Sequence, residues 1–313
     1  MKVLITGGFG FIGGRLAQFL SKRGLEVSLG TRYSRIPPSS LKNLQVREID
    51  WESDSSINAA TEGIKTIIHL AAPNAKESFE NPEMAHKVNY INSQKLLNYA
   101  IKNKVKKIIY LSTIHVYGNP LSNELLESNI LNPSHPYAKT HFEAESLFTK
   151  AHNEKKIESA VIRLSNSFGA PAHEEVNCWS LVINDFCLQA VKNDKITIAS
   201  KVNSIRDFIT MTDTCLAILF FINLNLNSSK NCIFNVGGKW KKSVLEIANI
   251  IKKRAELILD KDIEISHNIS LKESNEVFYF NTNKLIQLGF ETSKEEDFIN
   301  EIDSLIFFCK NQI

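Results

Sequence analysis

Cysteine is scarce in this sequence, and the five residues present stand apart: Cys178, Cys187, Cys215, Cys232 and Cys309 form no C-x-x-C pair and no closely spaced set. That spacing excludes a disulfide framework and offers no zinc or other metal site. The thiols are therefore read as reduced and the protein as cytoplasmic. An excess of one charge is also missing. The 37 basic and 34 acidic side chains leave +3 without a basic block, so no nucleic-acid partner is expected. Long apolar runs are lacking too. The most apolar late stretch, Cys215 to Ile222, falls far short of the roughly 20 residues that cross a bilayer, and no membrane partner is expected. Glycines interrupt the opening MKVLITGGFGFIGG and no small-residue cleavage site follows, which makes it a first strand and turn rather than a leader. No internal repeat or low-complexity tract is found.

What is present is hydrophobic sequence, 43% of 313 residues, enough for one sizeable core or a large domain with a small one. Through the first half, short β-branched runs alternate with longer helical patterns: Val3 to Thr6, then Arg15 to Arg23; Glu26 to Leu29; Val46 to Ile49; Thr66 to Leu70, then Glu83 to Asn103; Lys107 to Ser112. This alternation predicts βαβ units and a parallel sheet with helices on both faces. The runs are nearly all apolar, as strands buried on both faces should be. A helix is predicted from Tyr137 to about Asn153 and a strand from Ala160 to Leu164. Beyond Ser165 the pattern turns irregular, with Asn-rich connectors such as Asn223 to Asn231 and a helix from Val244 to Leu259.

Between the first strand and first helix lies Gly7-Gly8-Phe9-Gly10-Phe11-Ile12-Gly13. Glycines there permit a tight turn, bring backbone N–H groups to a pyrophosphate and let helix and strand pack closely, while the helix N-terminus adds partial positive charge. Gly7, Gly10 and Gly13 hold the G-x-x-G-x-x-G spacing, with Phe9, Phe11 and Ile12 in the same loop, and the strand-turn-helix context points to a dinucleotide. The second strand ends Leu29-Gly30-Thr31-Arg32, without the carboxylate that reads the ribose 2′-hydroxyl of NAD. Arg32, helped by Arg35, could instead pair with a 2′-phosphate, so NADP is the expected cofactor and NAD the alternative. Asp50, beside Trp51, is placed to accept from the adenine amino group; its plainer role is to cap the helix that follows Trp51.

With Leu111-Ser112-Thr113-Ile114-His115-Val116-Tyr117-Gly118 and Tyr137-Ala138-Lys139-Thr140-His141 added to the glycine motif, the sequence resembles the extended short-chain dehydrogenases/reductases, the NAD-dependent epimerase/dehydratase family that modifies nucleotide sugars. The resemblance spans nearly the whole chain. His69-Leu70-Ala71-Ala72, Asn89, Arg163-Leu164-Ser165-Asn166-Ser167-Phe168-Gly169, Arg206-Asp207-Phe208-Ile209 and Phe234-Asn235-Val236-Gly237 support it by their order. It implies an α/β fold, a Rossmann-type doubly wound parallel sheet in residues 1–165 to which later strands return, with 166–313 a smaller, mainly substrate-binding mixed α/β region. It further implies that Leu70, Ala71, Ala72, Asn89, Tyr137 and His141 line the cofactor, and that Tyr137 exchanges a proton with a sugar oxygen that Thr113 also holds. Arg206 would grip the nucleotide pyrophosphate, a task suited to a planar guanidinium, and Asn166 would bond near the sugar phosphates. A homodimer joined through the helices at Glu83 to Asn103 and Tyr137 to Asn153 is also implied.

The chain departs from the family pattern where YxxxK becomes YxxxH. Position i+4 returns to the tyrosine's helical face, whereas Lys139 at i+2 points almost oppositely. The family's lysine binds the cofactor ribose and lowers the tyrosine pKa; a unit charge about 5 Å away at an effective dielectric near 20 contributes roughly 3 kcal/mol, about two pKa units. A histidine with pKa near 6.5 carries only part of a charge at neutral pH. The expected outcomes are slower chemistry, a profile moved toward mildly acidic pH, or binding with little turnover.

Related 4,6-dehydratases carry an acidic pair directly after the active-site threonine, and related decarboxylases a glutamate at the second of those positions. Ile114 and His115 stand there instead, which disfavours both reactions and leaves an epimerase or a ketoreductase. His115 could be an acid/base or a plain packed histidine, and Trp179 and Phe186 either line the pocket or belong to the core. Two other readings stand beside these: a non-catalytic dinucleotide-binding protein, and a reductase of a non-nucleotide carbonyl compound.

Overall fold

The computed structural model describes residues 1–33, 35–118, 123–199, 202–227, 229, 231–267 and 278–312. The first half runs β1 (Lys2–Thr6), α1 (Phe11–Ser21), β2 (Glu26–Thr31), β3 (Gln45–Glu48), α2 (Asp54–Thr61), β4 (Thr66–His69), α3 (Ala75–Glu80), α4 (Pro82–His86), α5 (Asn92–Lys102) and β5 (Lys107–Thr113). There follow β6 (Asn123–Leu125), α6 (Pro136–Asn153), β7 (Glu158–Leu164), β8 (Asn166–Phe168), α7 (Val182–Asn193), β9 (Lys195–Ile198), β10 (Ile205–Thr210) and α8 (Met211–Asn223). The last elements are β11 (Ile233–Val236), β12 (Trp240–Ser243), α9 (Val244–Leu259), β13 (Glu264–His267), β14 (Phe278–Phe280), α10 (Asn283–Gln287) and α11 (Glu295–Lys310).

Seven strands form the main sheet in the order β11-β7-β5-β4-β1-β2-β3, every neighbouring pair parallel. Alternate residues supply opposite faces. Val3, Ile5, Ile68, Ile109 and Ile162 pack with Leu16 and Leu20 of α1 and Ile218 and Phe221 of α8. Leu4, Ile67, Ile108 and Val161 pack with Ile57 of α2, Leu96 of α5 and Phe148 of α6. Each fully buried aliphatic side chain here contributes about 1.5–3 kcal/mol, which is why the strands read as continuous apolar runs. Strand order reverses between β1 and β4, and the carboxyl ends at such a switch point open a crevice. A further core joins α7, α9 and α11 to Phe168 and Phe208 on the three-stranded sheet β12-β10-β8.

One boundary and one cap differ from expectation for a physical reason. Helix α1 begins at Phe11, four residues before Arg15, because packing overrides the poor helix propensity of Gly13 and Gly14. Helix α2 begins at Asp54, and the Ser53 side chain caps it. Asp50 is therefore not the cap: its Oδ1 accepts the Glu52 N–H at 3.0 Å, a local turn. Helix α1 is also tied across the molecule. Arg15 donates to the Ala170 carbonyl at 2.7 Å and pairs with Glu301 of α11 at 3.2 Å, and Glu301 also accepts from the Thr212 hydroxyl at 2.6 Å.

Candidate active site

The glycine loop closes on itself. Gly7 sits at φ +67°, the left-handed region, and the Gly10 N–H donates to its carbonyl at 2.9 Å. A Cβ on Gly13 would stand 2.2 Å from that same oxygen, and one on Gly8 2.9 Å from Leu29 Cδ2. No side chain caps α1 at Gly10, so the first-turn N–H groups remain free for an anion. A dinucleotide pyrophosphate fits a turn with no room for side chains and a helix end with unspent donors. Phe9 and Trp51 are buried, Phe11, Ile12, Leu70 and Ala71 partly so, and Ala72 and Asp50 exposed, around this crevice.

Thr6, at the end of β1, holds the crevice together. Its Oγ1 lies 2.6 Å from His69 Nδ1 and accepts the Leu70 and Ala71 N–H groups at 3.2 and 3.3 Å. His69 Nε2 meets Ser93 Oγ at 2.8 Å. Burial lowers the His69 pKa to about 4, so the ring is neutral near pH 7 and links β1 to α5 through one donor and one acceptor. Asn89 sits in a π-helical turn, Lys87–Ile91, between α4 and α5. Its Nδ2 donates to Thr140 Oγ1 of α6 at 2.9 Å, while its buried Oδ1 has no partner among the described residues.

Arg32 is exposed past the end of β2, with its guanidinium 5.6 Å from the Tyr33 ring centre. Arg35 is not available to help it, since it is ion-paired with Glu175 and lies 4.5 Å from the Phe9 ring centre.

At the other edge, Tyr137 opens α6 just after Pro136 at its first position. Burial raises the phenol's pKa, opposed by a hydrogen bond with the Thr113 side chain. Thr113, the last residue of β5, also accepts the His115 N–H at 3.2 Å. His141 stacks edge-on against Tyr137 with ring centres 4.6 Å apart, while Lys139 is exposed. The expectation of a partly charged His141 does not hold. The ring is 3% exposed, and burial, with His69 and His115 nearby, lowers its pKa to about 3. The ring is therefore uncharged near neutral pH. Its Nδ1 lies 2.8 Å from the Tyr110 hydroxyl, and its Nε2 is buried without a partner among the described residues.

One turn further along α6, Glu145 is buried and takes bonds from Arg163 and from Ser112 at 2.6 Å. Arg163 also donates to the Tyr117 hydroxyl at 3.0 Å. This satisfied pair pins α6 to β5 and β7. His115 reaches solvent, yet the protein packed around it, with Arg206 and His135 beside it, pushes its pKa down to about 4; its ring centre lies 6.4 Å from that of Tyr137. Ile114 is 1% exposed and packs with Val116 and Phe280.

On the substrate side, Arg206 is half-buried on β10 with its pKa lowered by burial, and no carboxylate pairs with it among the described residues. Asn166 spends its amide on the Asp207 carbonyl at 2.8 Å. Trp179 stacks on Phe308 and Phe186 is buried among α7, α9 and α11, so both belong to the core. Sequence reasoning overlooked Thr6, Tyr110 and Glu145. Only Glu145 leaves a signal, four residues past His141 on the same helical face.

Sheet order, glycine turn and tyrosine edge together define a dinucleotide-dependent α/β enzyme fold. The chain belongs to the NAD dependent epimerase/dehydratase family, whose model matches residues 3–237. A putative UDP-glucose 4-epimerase of Methanocaldococcus jannaschii is 30% identical over 274 residues, 84% of this chain and 86% of that protein. A dTDP-D-glucose 4,6-dehydratase of Dictyostelium discoideum is 28% identical over 273 residues, 80% of this chain and 61% of that one. The solved structure of UDP-N-acetylglucosamine 4-epimerase from Methanobrevibacter ruminantium M1, in complex with UDP-N-acetylmuramic acid, shares the fold at TM-score 0.84 and 22% identity, over 100% of this chain and 99% of that one. Among the described residues, no helix is long and apolar enough to cross a membrane.

Proposed function

We propose that this chain is a nucleotide-sugar 4-epimerase of that family, acting on a UDP-linked sugar through Tyr137. The observation that carries this reading is the company Tyr137 keeps. It is hydrogen-bonded to Thr113, while the adjoining position that dehydratases fill with an acid holds a buried isoleucine. Elimination of water needs a second proton donor beside the tyrosine, and Ile114 cannot be one. A bound nicotinamide would accept a hydride from the sugar carbon and later return it. Tyr137 takes the proton of the sugar hydroxyl as the hydride leaves, and gives it back after the keto sugar has turned its other face. Thr113 bonds the same oxygen and steadies its developing charge.

In this reading Gly7, Gly10 and Gly13 carry the pyrophosphate, Phe9, Phe11, Ile12, Leu70, Ala71, Ala72 and Asn89 line the dinucleotide, and Asp50 and Trp51 lie at the adenine. Residues 1–165 hold mainly the cofactor and 166–313 mainly the substrate. Arg206 grips the nucleotide phosphates, supported by its having no carboxylate partner among the described residues, and Asn166 bonds near the sugar phosphates. The helices α4, α5 and α6 form a homodimer face, supported by Phe142 at 42% exposure. Five buried free thiols accord with a cytoplasmic setting.

A second reading, a ketoreductase using NADP, draws on the missing carboxylate after β2 and the exposed Arg32. One experiment separates them. Incubation with UDP-glucose and with UDP-N-acetylglucosamine, followed by proton NMR of the sugar and mass spectrometry of the bound cofactor, is expected to give the C4 epimer and retained NAD. Net consumption of NADPH favours the reductase. Failure to convert either sugar, with no dinucleotide bound, overturns both.

A further inference from the structure

The two tautomers of a neutral His141 differ in which buried donor is left over at its contact with Tyr110. Tyr110 is 3% exposed on β5, its ring stacked on Phe148 at 4.6 Å and beside His69 at 5.8 Å. Among the described residues its hydroxyl has one hydrogen-bond partner, His141 Nδ1 at 2.8 Å. If the imidazole donates across this contact, the phenol proton is left buried without an acceptor, at a cost of about 1–3 kcal/mol. If the phenol donates, both atoms of this contact are satisfied and the one donor left over is the histidine Nε2–H, which a cofactor hydroxyl on the Tyr137 side could accept. That nitrogen is buried, lacks a partner among the described residues, and belongs to the ring that packs edge-on against Tyr137.

We propose that Tyr110 is a positioning residue that locks His141 in its Nε2–H tautomer, so that a neutral imidazole presents one fixed donor to the ribose hydroxyls of the nicotinamide half of the cofactor. The proposal rests on the dinucleotide reading above. In the family pattern a lysine at this position supplies both a hydrogen bond and a charge; here the two functions come apart, and only the hydrogen bond is kept. The surroundings agree. The groups facing the ring are Tyr137 of its own helix, Tyr110 from β5, His69 from β4 and His115 beyond β5, none of them a carboxylate. Glu145, one turn away, is held by Arg163 and Ser112. Among the described residues, no unpaired carboxylate is in contact with the ring to hold a proton on both nitrogens.

The test uses protein labelled with 15N-histidine, with long-range proton–nitrogen spectra assigned by His141→Gln. At neutral pH His141 should show Nδ1 bare and Nε2 protonated, and Tyr110→Phe should convert this signal into a tautomer mixture. A wild-type Nδ1–H tautomer overturns the proposal. Adding NAD should move the Nε2–H resonance, and Tyr110→Phe should raise the Kd for NAD about five- to tenfold, the worth of one hydrogen bond. In a His141→Lys background the same Tyr110→Phe change should leave Kd unaltered, since a lysine needs no tautomer fixed. An equal loss in both backgrounds marks Tyr110 as merely structural and overturns the proposal. NAD binding that leaves the Nε2–H resonance unmoved overturns it while the cofactor reading stands. If neither NAD nor NADP binds the wild-type chain, the cofactor reading falls and this inference with it.

Discussion

The two sides of the crevice are built from different material. The glycine cradle is almost wholly backbone, made by what is left out: a Gly13 side chain would strike the Gly7 carbonyl at 2.2 Å, and α1 begins without a side-chain cap. The tyrosine edge is wholly side chain, a run of Thr113, Tyr137, His141 and Tyr110 set by one strand and one helix. A backbone site depends on space, and a side-chain site on proton inventory. Each should therefore fail in its own way.

Gly13→Val should break the cradle with the largest effect. The clash is with backbone, so the turn itself must move, at a cost of roughly 3 kcal/mol or more; thermal unfolding and NAD titration should show a less stable chain whose dinucleotide affinity has fallen at least about 100-fold. Tyr137→Phe should do the opposite. Turnover is expected to fall by about 10²–10⁴ with NAD affinity nearly unchanged, read from steady-state rates beside the same titration. If the phenylalanine variant loses binding instead, the division between the two sides is wrong.

His141→Lys sharpens the contrast by restoring charge without altering the cradle. Burial holds the Tyr137 pKa above its ordinary value, and accepting a sugar proton requires the phenolate. The wild-type rate should therefore rise with pH above neutrality. A lysine ammonium worth roughly 3 kcal/mol, about two pKa units, should move that rise to lower pH and preserve or increase turnover at pH 7; pH–rate profiles of both proteins decide. A collapse of activity in a folded variant rejects this.

The smallest effect is on stability. His69 and His141 have folded pKa values of about 4 and about 3 against 6.5 unfolded. Below pH 6.5 the unfolded chain takes up protons that the folded chain refuses, so stability falls as pH drops from 6.5 toward 4. At pH 5 each of these two buried rings should cost about 2 kcal/mol, measurable by urea unfolding at pH 7 and 5. His69 is bonded to Thr6 beside the glycine turn, so acid should loosen dinucleotide binding as well as the fold.

How much of this was legible beforehand follows the same division. Period and spacing report local geometry, so the parallel sheet, the glycine turn and the span of α9 at Val244–Leu259 could be read from the sequence. Helix α1 was placed late because its glycines, required by packing, argue locally against a helix. The tyrosine edge was legible as residue types in order, but not as an electrostatic state. Whether His141 is charged depends on burial, and its Tyr110 partner is 31 residues earlier, on a strand whose apolar run announces only core. For Asp50 the plainer of its two roles, capping α2, falls to Ser53, which local sequence could not distinguish.

The contact between Arg15 and Glu301 couples these regions to a distant one. The helix that starts at the glycine turn is fastened by its second turn to α11, more than 280 residues later in the sequence. Opening of α11 and occupation of the cradle are then linked equilibria, each biasing the other by the same free energy. Saturating dinucleotide should slow amide exchange in α11, and a loosened α11 should first be felt as weaker dinucleotide binding while the sheet stays intact.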